Sequence, residues 1–172
     1  INPDRPTIQI GFPYVDVLKL PQTIYNGAIL LQETNQNIVE RKLDEYKPSA
    51  LIVEIPSNPM LQCLDLINIR KLANQRGIPV IADDTIGSAI NIDLCPYVDL
   101  IFSSLTKSFA GRGDIMAGSL VISPNSYWRK EFSEIISSTN ISTLSDPDSI
   151  ELEKASRDIE ERLPRLNKAC LS

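Results

Sequence analysis

Four short runs constrain this chain more than anything else in it: ALIVEI at 50–55, PVIAD at 79–83, LIFSS at 100–104 and SLVIS at 119–123. None shows the alternation of a strand with one wet face. Strands that are apolar on both faces belong in a parallel sheet covered by helices on either side. Amphipathic stretches separate some of them. Residues 65–76 place Leu66, Ile69, Leu72 and Ala73 on one helical face, and Gly77 stands just past the end as a stop. Residues 34–46 carry Ile38, Val39, Leu43 and Tyr46 at helical spacing, and Pro48 ends that helix. TIQIGF at 7–12 and GAILLQ at 27–32 read as two further strands, with a weak helix at 17–25 between them. The fold class expected is α/β, a parallel-dominated sheet with helices on both faces.

After residue 126 the character changes. We expect a helix at 127–138, a polar, turn-rich segment at 141–148, and a charge-laced helix at 150–163 that Pro164 kinks or ends. The chain begins INPDRPT, without an initiator Met or an apolar signal segment, and stops soon after Pro164. That reads as a piece of a longer protein.

Several classes of function are disfavoured. The net charge of -5 argues against a nucleic-acid partner, which needs clustered Lys and Arg to neutralise phosphates. No apolar run has the length to cross a bilayer, so no membrane partner is expected. Cys63, Cys95 and Cys170 are odd in number and widely spaced, which fits neither a disulfide framework nor a zinc site. With no signal segment, the expected location is the cytoplasm. Histidine is absent, which removes Ser-His-Asp and Cys-His catalysis and every imidazole-based metal site. Acid–base work falls to Lys, Asp, Glu or Tyr.

In an open parallel sheet, ligands bind beyond the carboxyl ends of the strands. Three polar clusters fall there: Ser57-Asn58-Pro59 after ALIVEI, Asp83-Asp84-Thr85 closing PVIAD, and Ser103 to Lys107 closing LIFSS. Taken singly, each has a plainer reading, with Lys107 a solvated charge, Asp83-Asp84 a helix cap and Asn58 a turn residue. Together they hold what pyridoxal phosphate requires. Lys107 offers an amine for an imine, partly desolvated so that it loses its proton near neutral pH. Asp83 offers a carboxylate to the pyridine nitrogen, and Ser104 and Thr106 offer hydroxyls to the phosphate.

The runs IVEIPSNPMLQCLDLINIRKLANQRGIPVIADDTIG and DLIFSSLTKSFAGRGDIMAG carry a known pattern. It consists of an E-x-P-x-N-P turn, a D-N-T element after a strand, S-x-T-K, and a glycine-rich D-x-M-x-G. The chain thereby resembles the Cys/Met-metabolism pyridoxal-phosphate enzymes over roughly residues 6–122, and its tail resembles fungal cystathionine γ-synthase-like members. The resemblance implies the large domain of the type I (aspartate aminotransferase-like) fold. Residues 1–126 would form the central part of that domain. Residues 127–172 would form its end and the helix leading to a small domain.

Carried over by resemblance, Lys107 is the Schiff-base lysine and Asp83 the partner of the ring nitrogen. Ser104 and Thr106 bind phosphate, and Asn58 reaches the phenolic oxygen or the substrate carboxylate. Tyr14 stacks on the ring, although Val15, Asp16 and Val17 replace the family's Gly-Gly-Thr, and Asp84 stands where Asn is usual. The implied activity is cystathionine γ-synthase-type γ-replacement on an activated homoserine, with cystathionine lyase or homoserine sulfhydrylase chemistry as the alternatives. The implied partners are a small amino-acid substrate and further copies of the chain in a homodimer or homotetramer. A competing reading is a non-catalytic relic that kept the fold as an interaction module.

Overall fold

The computed structural model describes residues 2, 4–24 and 26–170. Six strands form one sheet: β1 (Thr7–Ile10), β2 (Ala28–Leu31), β3 (Leu51–Glu54), β4 (Val80–Asp83), β5 (Leu100–Ser104) and β6 (Gly118–Ile122). Their order across the sheet is β2-β1-β3-β4-β5-β6. Helix α1 (Val15–Ile24) joins β1 to β2, α2 (Gln36–Tyr46) joins β2 to β3, and α3 (Leu66–Gln75) joins β3 to β4. Three more helices follow β6: α4 (Arg129–Ser138), α5 (Asp146–Ser156) and α6 (Ile159–Ala169).

The first five strands are parallel, as their buried sequences require. Ile8, Ile10, Leu51, Val53, Val80 and Ala82 have at most 1% exposure and pack with Val39 and Leu43 of α2 and Leu72 and Ala73 of α3. Because the chain steps from β1 outward to β2 and then back across β1 to β3, right-handed crossovers put α1 on the face opposite α2 and α3. The crevice between β1 and β3 is therefore the switch point of the sheet, where such folds hold ligands.

Four expectations need correction. β6 runs antiparallel to β5. The connection at 105–117 contains turns and no helix, so the chain doubles back instead of crossing over. The helix expected at 150–163 is two helices, α5 and α6, broken at Arg157 and Asp158. Ser145 starts α5 by accepting from the Asp148 N–H at 3.3 Å, inside the segment expected to be turns. Pro164 lies within α6 without ending it, because the carbonyl it frees belongs to exposed Glu160.

The weak helix at 17–25 begins earlier, at Val15, and Tyr25 lies outside the described residues. Pro21 sits inside this helix and cannot donate to the Val17 carbonyl four residues back. Fully buried Gln9 of β1 supplies the missing donor, with Nε2 2.7 Å from the Val17 oxygen. Elsewhere the local signals hold. Asp65 accepts from the Asn68 N–H to cap α3, and Gly77 adopts φ +61° beyond its end.

Candidate active site

All six residues singled out in the sequence line one open cleft of about 1240 Å³ at the carboxyl edge of the sheet. Tyr14 follows β1, Asn58 follows β3, Asp83 ends β4 and Ser104 ends β5. Thr106 and Lys107 lie in the turn after β5. Phe102, Met116, Leu120 and Ile136 give the cleft an apolar wall.

Asp83 is 6% exposed and anchored by Thr85, whose N–H and Oγ1–H donate to its Oδ1 at 3.0 and 2.6 Å. Burial pushes this carboxyl above the ordinary aspartate value, and the Thr85 bonds pull the other way. Its second oxygen, Oδ2, makes no hydrogen bond among the described residues. Thr85 Oγ1 in turn accepts from the Ser104 N–H at 2.9 Å, so the ends of β4 and β5 are tied through one threonine. No helix starts at Asp83-Asp84, which rules out the capping alternative.

Two residues with no role assigned from the sequence complete the floor. Thr85 is one. Glu54 is the other, and it faces Asp83 across the β3–β4 register. Its Oε2 accepts from the Tyr14 N–H at 2.8 Å and its Oε1 from the Asn58 N–H at 3.1 Å. A single carboxylate thus sets the backbone of two site residues that lie on either side of the switch point. Burial raises the Glu54 carboxyl, the neighbouring Asp83 charge adds to this, and the two N–H bonds oppose it. The available signal was the glutamate itself, a charged residue closing a strand that is otherwise apolar.

A carboxylate can accept twice here, whereas an amide would aim N–H against N–H. Glu54→Gln should therefore cost about 1–3 kcal/mol in urea unfolding. An unchanged midpoint would refute the clamp.

Asp84 is 2% exposed. Its Oδ2 accepts from the Ala89 N–H at 2.7 Å, while Oδ1 is buried without a partner among the described residues. Burial, reinforced by the Asp83 charge, pushes its carboxyl up to about 6.

Thr106 Oγ1 accepts from the Ala117 N–H at 3.1 Å, which leaves its own hydrogen available to a ligand. Lys107 is an exposed residue.

The profile of the Cys/Met metabolism PLP-dependent enzyme family matches residues 23–168. The chain belongs to this family. Among its relatives, a cystathionine gamma-synthase of Neurospora crassa is 33% identical over 166 residues, covering 94% of this chain and 27% of the relative. An alanine racemase of Aspergillus violaceofuscus is 39% identical over 118 residues, covering 69% of this chain and 20% of the relative. The chain thus spans about a quarter of the length of these curated relatives. A solved cystathionine gamma-lyase from Lactobacillus plantarum superposes with a TM-score of 0.73 at 20% identity, over 92% of this chain and 42% of that one. That likeness establishes the fold, a mostly parallel sheet of the type I class.

The donor set of the cleft fits the family's pyridoxal phosphate. An amine, a buried carboxylate with one oxygen open, and hydroxyls free to donate are the groups that an aldehyde, a protonated ring nitrogen and a phosphate ester need. Among the described residues, no cluster of His, Cys, Asp and Glu could hold a metal ion, and no helix is long and apolar enough to cross a membrane.

Proposed function

We propose that this chain is the central part of the cofactor-binding large domain of an enzyme of sulfur amino-acid metabolism. The activity is cystathionine γ-synthase-type γ-replacement on an activated homoserine. The observation that carries this is the convergence of Lys107, Asp83, Ser104, Thr106, Asn58 and Tyr14 on one cleft, from four different strand ends. Support for the γ-synthase assignment comes from the Neurospora crassa relative, whose match extends over nearly the whole chain.

In this reading Lys107 would hold the cofactor covalently, and its amine would move protons at the substrate α-carbon. Bound pyridoxal phosphate supplies the electron sink for that chemistry. The open Oδ2 of Asp83 takes the ring N–H, with Thr85 fixing the carboxylate from behind. Ser104 and Thr106 hold the phosphate, and Tyr14 covers the ring. Asn58 reaches the phenolic oxygen or the substrate carboxylate. Residues 1–126 belong to the large domain and 127–172 lead toward a smaller one. The protein works in the cytoplasm as a homodimer or homotetramer.

The test is to titrate the full-length protein with pyridoxal phosphate and scan for the absorbance of lysine-bound cofactor. The band should form and should vanish in Lys107→Ala. Activated homoserine and cysteine should then give cystathionine. Release of ammonia and a keto acid would indicate a lyase instead, and uptake of sulfide a sulfhydrylase. No band at all would sink the proposal and favour a non-catalytic module.

A further inference from the structure

The turn that carries Lys107 is built on its own main chain. The Gly111 N–H donates to the Lys107 carbonyl at 2.8 Å, and the Ala110 N–H to the Leu105 carbonyl at 2.9 Å. The Ser108 and Phe109 carbonyls are bonded instead by one side chain from α6. Arg162 Nη1 lies 2.6 Å from the Ser108 oxygen and Nη2 lies 3.0 Å from the Phe109 oxygen. The same guanidinium reaches the Ala155 carbonyl at 3.3 Å, and its Nε donates to Asp158 Oδ1 at 3.0 Å. With its side chain 18% exposed, Arg162 is an inserted fork and not a surface ion pair.

Packing supports the same picture. Gly111 has φ +72°, and a Cβ there would lie 2.3 Å from Arg162 Nη1. The glycine is the gap through which the guanidinium enters. Ala110, Ile115 and Ala155 form a small core of their own beneath it, separate from the core of the sheet. The turn after β5 is therefore tied to α5 and α6 as well as to its parent strand.

We propose that Arg162 is a positioning residue for Lys107. By holding the two carbonyls that follow the lysine, it fixes the direction in which the Lys107 side chain enters the cleft. Only a planar donor with several N–H groups can reach Ser108, Phe109 and Ala155 at once. The inference rests on the assignment of Lys107 as the cofactor lysine.

The experiment titrates full-length wild type, Arg162→Lys, Arg162→Met and Asp158→Asn with pyridoxal phosphate. Cofactor affinity and the induced circular dichroism of the bound-cofactor band are read at a temperature where the far-ultraviolet spectrum shows each variant folded. Arg162→Met should bind cofactor about tenfold more weakly and lose most of the induced signal. Arg162→Lys should fall between, and Asp158→Asn, which spares the carbonyl bonds, should match wild type. A folded Arg162→Met with lowered Tm but wild-type affinity and induced signal would reduce the residue to a structural tie and overturn the inference. Should Arg162→Met not fold, Arg162→Lys decides by the same two readouts. A wild type that forms no band refutes the assignment of Lys107 itself, an outcome distinct from a defect seen only in the Arg162 variants.

Discussion

Asp99→Ala should remove about 3–5 kcal/mol of folding stability, because it strands a half-buried cation and two further polar groups at once. Asp99 has no exposed surface and stands immediately before β5. Its Oδ2 accepts from Arg70 of α3 and from the Val80 N–H of β4, the latter at 2.9 Å. Its Oδ1 accepts from Ser126 Oγ at 2.6 Å, and Ser126 Oγ in turn accepts from the Trp128 N–H at 3.0 Å ahead of α4. One carboxylate therefore joins α3, β4, β5 and the approach to α4. Urea unfolding followed by circular dichroism measures the loss. Asp99→Asn keeps the shape and part of the acceptor capacity, so it should fall between wild type and Asp99→Ala. A loss below about 1 kcal/mol for the alanine variant would place the connection between these elements elsewhere.

The second large effect concerns Asp84, the buried carboxylate that follows β4. Its folded value of about 6 exceeds the ordinary 3.8, so between those two pH values the native chain keeps a proton that the unfolded chain has released. The stability this group contributes is complete below 3.8 and is lost as pH rises through 6. The gap corresponds to about 3 kcal/mol. Asp84→Asn is neutral throughout and should be more stable than wild type above pH 6 by up to that amount. Between pH 4 and 6 the wild type should lose stability relative to the variant as pH rises. Urea midpoints at five or six pH values decide the matter. Parallel profiles for the two proteins would show that the unpartnered Oδ1 is relieved in some other way. Glu54 and Asp83 are also raised, but both are present in both proteins and contribute a common background.

Much of this was legible in the chain because the signals are local. A strand apolar on both faces cannot be placed except inside a covered sheet, and the polar residue after such a strand must emerge at its carboxyl edge. That logic brought Asn58, Asp83 and Lys107 to one place without knowledge of any contact. What escaped reading was decided by partners distant in sequence. Glu54 acquires its role from Tyr14, forty residues earlier. SLVIS has a strand's composition, but its direction is set by the helix-free turn before it, and its Leu120 and Val121 stay exposed at the sheet edge. Pro164 obeyed no stop rule because the carbonyl it freed belongs to an exposed residue. Ser145-Asp146-Pro147-Asp148 is a helix start in its own right, and its turn-like composition concealed that.

Gln9 and Pro21 form a pair whose substitutions are coupled through the Val17 carbonyl, so the order in which they are made matters. Replacing Gln9 by leucine while Pro21 remains would leave the Val17 carbonyl with no donor, next to the helix that begins just after Tyr14. Replacing Pro21 by alanine first restores the helix's own N–H and releases Gln9 from that duty. Making the strand position apolar therefore costs less once the proline has been given up. A designer reshaping the Tyr14 side of the cleft is bound by the same sequence of moves.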